Sequence, residues 1–382
     1  MSDTTTAETA KVDAGFVGLA YVSDEYPGIS RKKRGGSFRY VGLDGNIIRD
    51  RSVLQRIRSI VIPPAWMDVW ISPSAKGHIQ ATGRDDRGRK QYRYHPDFRA
   101  IRDGNKYEHI VVFGAALVKL RRQVNRDMSR HGLTRAKVIA TVVYLLDATL
   151  IRVGNSSYAR ENGSFGLTTL RSDHVKIGGA ALRFEFKGKS GKTWRLQMHD
   201  RRVARIVKSC QDLPGQDLFQ YVDQTGARAS IGSAHVNDYL RQTTGRDITA
   251  KDFRTWAGTV LAGTALRELE PFDTEAIAKA DVRAAIERVA ARLGNTPTVC
   301  RKCYIHPAIL DAYFNGALFS SPKRRAATKI REDRAAMTPE EVAIYHFLRH
   351  HLRHKTSRIV SDRRSRHPVS APRSGPPQKV AA

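Results

Sequence analysis

Cysteine is scarce in this chain: Cys210, Cys300 and Cys303 are the only three in 382 residues. So few exclude a disulfide framework and fit a reducing compartment. No apolar run approaches the roughly 20 residues needed to cross a bilayer, and no basic amphipathic helix dominates the charge, so no membrane partner is expected. The opening residues, MSDTTTAETAKVDAG, lack the apolar core of an export signal, and a cytoplasmic location is expected. Metal-site patterns are missing too: there is no H-E-x-x-H, paired-Asp motif or Walker loop, so no metal and no cofactor is expected. The remaining shortage is negative charge. Lys and Arg number 66 against 37 Asp and Glu, a formal net charge of +29, which points to a polyanionic partner such as nucleic acid.

What is present is enough to fold. Hydrophobic residues make up 41% of the chain, and the length suits roughly two to three domains. Residues 1–36 read as a flexible basic arm that ends in the run Arg31–Arg34 and a Gly35–Gly36 hinge. Between 37 and 97, short alternating segments (Phe38–Val41, Val69–Ile71, His78–Thr82) predict a β-rich domain with one helix over Ser52–Ile60. From 98 to 320 the periodicity is mainly helical, interrupted by a hairpin whose strands Ala181–Phe186 and Thr193–Leu196 flank the turn Lys187–Lys192. Residues 321–382 form a basic extension with a helix near 339–354 and a disordered tail from about Thr356. The fold class is therefore α+β, a small strand-rich domain followed by a larger helical one.

Metal-free chemistry on a phosphodiester needs a nucleophile, cations for the nonbridging oxygens, and an acid for the departing alkoxide. Arg152 ends an apolar helix just before Gly154; a solvated arginine at a helix C-terminus is the bland alternative. Lys189 sits at the hairpin tip, where most lysines are simply hydrated. Arg254 lies in K-D-F-R-T-W, Lys251–Trp256, between two inward-facing aromatics, where packing or pairing is the alternative role. Thr296 and Pro297 open a short helix leading to Tyr304, as cap and first helical residue. Arg301 and Lys302 precede that tyrosine. Cys300 and Cys303 form a C-x-x-C pair with His306 nearby, but a structural zinc site would need a further matching ligand pair, and two small thiols on a helix is the simpler reading. Oxidation of this pair beside Tyr304 is a second use it could have. In the first domain, Gln91, Tyr92 and Tyr94 interleave with cations over Thr82–His95, a pattern suited to duplex contacts or to an ordinary exposed hairpin.

Taken in order, these residues resemble the type IB DNA topoisomerases, in particular the compact poxvirus and bacterial branch, over about residues 37–318. The K-D-F-R-T-W segment, G-N-T-P at Gly294–Pro297 and Y-I-H-P at Tyr304–Pro307 carry the resemblance, and Q-Y-R-Y at Gln91–Tyr94 is similar to a duplex-contacting segment of the poxvirus enzymes. The resemblance implies a clamp on duplex DNA, a 3′-phosphotyrosyl intermediate at Tyr304, Arg152 and Arg254 on the nonbridging oxygens, and Lys189 as proton donor. It also implies ATP-independent relaxation of supercoiled DNA by a monomer acting at the nucleoid. Asn295 stands where the poxvirus enzyme has histidine; its amide can donate a hydrogen bond but brings no charge. Two rival readings remain at this point. A tyrosine recombinase uses a similar set but typically has histidine where this chain has Lys251, and a noncatalytic DNA-compacting protein would fit the charge alone.

Overall fold

The computed structural model describes residues 10–86, 88–269, 271–318 and 336–366, and the chain divides into two units between Glu108 and His109. In the first unit, β1 (Ile29–Arg34), β2 (Ser37–Val41), β3 (Met67–Ile71), β4 (Ile79–Arg84) and β5 (Lys90–Tyr94) form an antiparallel sheet in the order β2-β1-β3-β4-β5. Helix α1 (residues 10–16) places Ala14, with Leu19, against Phe98. Helix α2 (Arg51–Ser59) is capped by Asp50, which accepts from Ser52 N–H at 2.7 Å, and it buries Ile57 against Ile29, Val69, Ile71 and Ala81.

The basic run expected to close a mobile arm belongs instead to the sheet. Arg31–Arg34 lies in β1, paired with β2, and the supposed Gly35–Gly36 hinge is the tight loop between them, with Gly35 at φ +59. Ile29 supplies the buried anchor, while the Arg31 guanidinium donates to Pro63 O at 3.1 Å and lies 4.2 Å from the Phe38 ring centroid. Four consecutive cations did not prevent a strand. The arm call for residues 1–9 lies outside the described residues.

The second unit is mainly helical. Helix α3 (Pro96–Met128) enters it from His109 onward. Helix α4 (Arg135–Thr149) is apolar on nearly every side and lies in the core, with Val138, Val142, Leu145 and Leu146 fully buried. It stops where Leu150 turns left-handed at φ 60. After α5 (Ser156–Asn162), β6 (Val175–Gly178), β7 (Ala181–Lys187) and β8 (Thr193–His199) form a three-stranded sheet in that order, its β7–β8 hairpin pairing from Ala181↔His199 to Lys187↔Thr193. Then come α6 (Arg201–Gln211), the short pair β9 (Gln220–Val222) and β10 (Arg228–Ser230), α7 (Ser233–Thr244), α8 (Ala250–Arg267), α9 (Glu275–Leu293), α10 (Pro297–Cys303) and α11 (Pro307–Phe314).

Helix α12 (Pro339–Arg366) is longer than the sequence suggested and is docked on this core. Ile344 and Leu348 are buried, and a Cβ on Gly263 would fall 2.4 Å from Ile344 Cδ1, so any larger residue there would force the Ile344 side chain to move. Glu341 accepts from Arg121 Nη1 and Nη2 at 2.8 Å each and from Trp256 Nε1 at 3.0 Å, and Arg121 in turn binds Asp147 at 2.7 Å. The disordered tail expected from about Thr356 is corrected as far as Arg366: no Gly or Pro interrupts 356–366, and the first breaker is Pro368. Residues 367–382, and the boundary expected at 320, lie outside the described residues. Among the described residues no helix is long and apolar enough to cross a membrane.

Candidate active site

Two helix C-termini meet at one arginine. Helix α8 is preceded by the cap Thr249, whose N–H donates to Asp252 at 2.8 Å, and it buries Phe253 and Trp256 beside Arg254. Arg254 is only 3% exposed, which would be costly for a charge without compensation. Its Nη1 donates to Leu150 O at the end of α4, and its Nη2 donates to Leu293 O, the last residue of α9, at 2.7 Å. Both carbonyls belong to helix C-termini, where the backbone lacks partners and the dipole is negative. Residues 104 and 39 positions away are thereby tied to one side chain. Arg254 Nε is buried without a hydrogen-bond partner.

Beyond α4, the left-handed Leu150 turns the chain so that Arg152 O accepts from Leu167 N–H at 2.8 Å and the Arg152 side chain reaches Asn295 Oδ1. Asn295 follows Gly294, the left-handed cap of α9, and its Nδ2 is buried with no hydrogen-bond partner. Burial, and then the nearby Arg254 charge, lower the Arg152 guanidinium from its ordinary value. An arginine still remains charged across the physiological range.

Tyr304 ends α10, which Thr296 caps and Pro297 opens as expected. Its ring centroid lies 5.1 Å from the Arg254 guanidinium carbon. Burial alone would raise the phenol, but the Arg254 charge and then that of Arg152 bring it below the ordinary tyrosine value. The backbone of Tyr304 is held by two residues that sequence reading did not single out. A Cβ on Gly258 would fall 2.6 Å from Tyr304 O, so glycine is required for this contact. The Thr259 hydroxyl lies 3.3 Å from Tyr304 O and accepts His306 N–H at 3.1 Å. Gly258 stands four residues after Arg254 on the same helix face.

Arg152, Arg254, Asn295 and Tyr304 thus form one cluster. Lys189 is exposed at the hairpin tip, and among the described residues no hydrogen bond joins it to that cluster. The hairpin itself does touch it: a Cβ on Gly294, next to Asn295, would fall 2.6 Å from Trp194 Cζ2. Arg301 and Lys302 are exposed on α10. The C-x-x-C pair does not assemble a zinc site, because Cys300 is buried, Cys303 is exposed, and His306 Nδ1 accepts Ala308 N–H at 3.1 Å to cap α11. Burial also pushes the Cys300 thiol up, which makes it a poor partner for oxidation at neutral pH.

In the first unit, strand alternation separates the expected DNA-contact residues. Tyr92 and Tyr94 project from the exposed side of edge strand β5 with their rings stacked at 5.8 Å. Gln91 faces the other way and donates to Asp85 Oδ2 at 2.9 Å. Lys90 shares the tyrosines' side, where Asp24 neutralises it at 2.7 Å.

Comparison with known proteins places the chain in a family. Residues 95–318 match the family described as eukaryotic DNA topoisomerase I, catalytic core, and residues 37–85 match the bacterial DNA topoisomerase IB N-terminal domain. The chain is 31% identical over 300 residues to a DNA topoisomerase 1B of Acanthamoeba polyphaga mimivirus, covering 76% of this chain and 89% of that protein. It is 22% identical over 273 residues to the DNA topoisomerase 1B of vaccinia virus (strain Copenhagen), covering 69% and 82%.

Proposed function

The chain belongs to the type IB DNA topoisomerases, isomerases that relax DNA, and from that membership we propose that Tyr304 is its nucleophile. The observation that carries the assignment is the convergence of Arg152, Arg254 and Asn295 on one phenol, with Arg254 Nε and Asn295 Nδ2 buried as donors that lack a partner. Unpaired buried donors are costly, and an anion placed among them would satisfy both. A nonbridging phosphate oxygen is such an anion, and the charge it gains in the transition state strengthens each hydrogen bond.

In this reading duplex DNA is the substrate, and the positively charged chain holds it through phosphates, with Arg301 and Lys302 contributing beside the nucleophile and Tyr92 and Tyr94 contacting it from the first unit. Gln91 would have to leave Asp85 to join them. The Tyr304 oxygen bonds to phosphorus while the bond from phosphorus to the 5′ oxygen breaks. The phenol proton passes to solvent, and Lys189 supplies a proton to the departing oxygen. Arg152 and Arg254 stabilise the nonbridging oxygens, with Asn295 adding a neutral donor in place of histidine's charge. The severed strand, left with a 5′ hydroxyl, swivels and then attacks the 3′ phosphotyrosine, reversing each step. Because the phosphodiester energy is kept in the covalent bond, ATP is not required, and the donors described need no metal to act. One chain suffices for the chemistry, on supercoiled DNA at the nucleoid. The family matches favour neither a recombinase nor a noncatalytic compacting protein.

The test is to denature a reaction with end-labelled duplex. Wild-type protein carries label covalently on the tryptic peptide that contains Tyr304, whereas Tyr304→Phe binds DNA equally and carries none. Label on another residue would overturn the assignment.

A further inference from the structure

The hairpin tip carries Lys189, yet the tip itself has little to define where that side chain points. Ser190 and Gly191 take left-handed backbone angles, φ 65 and 73, and residues 189–193 are all exposed. Below the tip the situation changes at Trp194. This residue pairs with Phe186 across the hairpin, with the two rings stacked at 6.3 Å and 2° apart, and Phe186 is anchored in the core. The indole lies against two glycines from different parts of the chain. A Cβ on Gly188 would fall 2.6 Å from Trp194 Cδ1, and a Cβ on Gly294 would fall 2.6 Å from Trp194 Cζ2. Gly188 has an ordinary negative φ of −98, so its lack of a side chain serves this close approach and no special backbone conformation. Gly294 is the residue before Asn295, whose amide oxygen receives the Arg152 guanidinium. One flat ring therefore joins the strand that supports Lys189 to the turn that supports the phosphate-facing cluster.

We infer that Trp194 is a positioning residue, which seats the β7–β8 hairpin on the Gly294–Asn295 turn and so fixes how Lys189 reaches the departing 5′ oxygen. The inference rests on Lys189 being the proton donor. Trp194 touches no reacting atom. Its effect belongs to one event, transfer of a proton from the lysine ammonium to the oxygen as the bond to phosphorus breaks. A misplacement of about 1 Å at such a step costs on the order of a hundredfold in rate. If the 5′ bridging oxygen is replaced by sulfur, the leaving thiolate needs no proton, and the position of Lys189 ceases to matter.

The experiment compares single-turnover cleavage of 5′-oxygen and 5′-bridging-phosphorothiolate duplexes by wild type, Trp194→Ala, Trp194→Phe and Lys189→Ala. The rate ratio, sulfur over oxygen, is taken within each variant, so it does not depend on what fraction of that variant is folded. Trp194→Ala is expected to be slow on oxygen by on the order of a hundredfold and close to wild type on sulfur, as is Lys189→Ala, while Trp194→Phe keeps a ratio near that of wild type. A high ratio for Lys189→Ala with an unchanged ratio for Trp194→Ala would overturn the inference and leave the acid in place. An unchanged ratio for Lys189→Ala would remove the acid assignment, and the inference with it.

Discussion

Arg254 joins the helix ends and faces Tyr304, the proposed nucleophile, with the same guanidinium, so replacing it should change two observables together. In Arg254→Gln the leading charge that lowers the Tyr304 phenol is gone, and burial, which acts upward, is left opposed mainly by Arg152. The phenol should therefore titrate at higher pH than in wild type, read from the carbon-13 shift of labelled tyrosine, with unchanged titration as the contrary result. Leu150 O and Leu293 O also lose their charged donor, which should cost about 1–3 kcal/mol in a denaturant melt. Thr259 offers a gentler probe. Thr259→Val keeps the shape but removes the hydroxyl that His306 N–H and Tyr304 O share, and should slow cleavage about tenfold or more without weakening DNA binding. Thr259→Ser, which keeps that hydroxyl, should restore the rate; equal rates in all three proteins would reduce Thr259 to packing. The cluster of Arg152, Arg254, Asn295 and Tyr304 was legible because its residues sit in spaced motifs with a shared chemistry. Gly258 and Thr259 were not, since a Gly-Thr pair inside a helix has no chemical signature until the backbone it supports is in view. Gln91 is set apart from Tyr92 and Tyr94 by strand alternation, and its neighbour Asp85 takes its amide, a pairing the sequence alone did not reveal.

Helix α12 shows what pattern reading loses at the level of elements. Its start was placed near Pro339, but composition said nothing about its docking, which involves Gly263 and a buried carboxylate. Burial would raise the Glu341 carboxyl, yet its hydrogen bonds and charge pairing with Arg121 hold it below the ordinary range. The folded chain thus binds fewer protons here than the unfolded one. Glu341 stabilisation is complete above the unfolded value near ~4.3 and is lost as pH falls through the lower folded value. Thermal melts of Glu341→Gln should show a loss of about 3–5 kcal/mol at neutral pH that narrows toward acid, because the wild type forfeits the same pairing there. A difference that stays constant down to pH ~3 would contradict the role given to the carboxylate. Three strands of the first unit, β2, β3 and β4, were legible by alternation; β1 and β5 were not named, β1 because five of its six residues are polar and its single buried residue, Ile29, lies at its start, and β5 because its residues KQYRY are all polar or aromatic. The hairpin β7–β8 was legible because both strands alternate and the Lys187–Lys192 segment between them contains two glycines, although its second strand runs three residues past Leu196, to His199.

At the scale of the whole molecule, a net charge of +29 and two units, each with its own sheet and helices, describe a protein built to hold a polyanion. Charge alone would also suit a protein that only compacts DNA, and membership of the type IB topoisomerases is what separates an enzyme from that. The most direct measurement is relaxation of a negatively supercoiled plasmid in EDTA without ATP by wild-type and Tyr304→Phe proteins at equal DNA occupancy. Wild type should convert the plasmid to a ladder of relaxed topoisomers, and Tyr304→Phe should leave it supercoiled; relaxation by the phenylalanine variant, or a wild type inert without ATP or metal, would contradict the account.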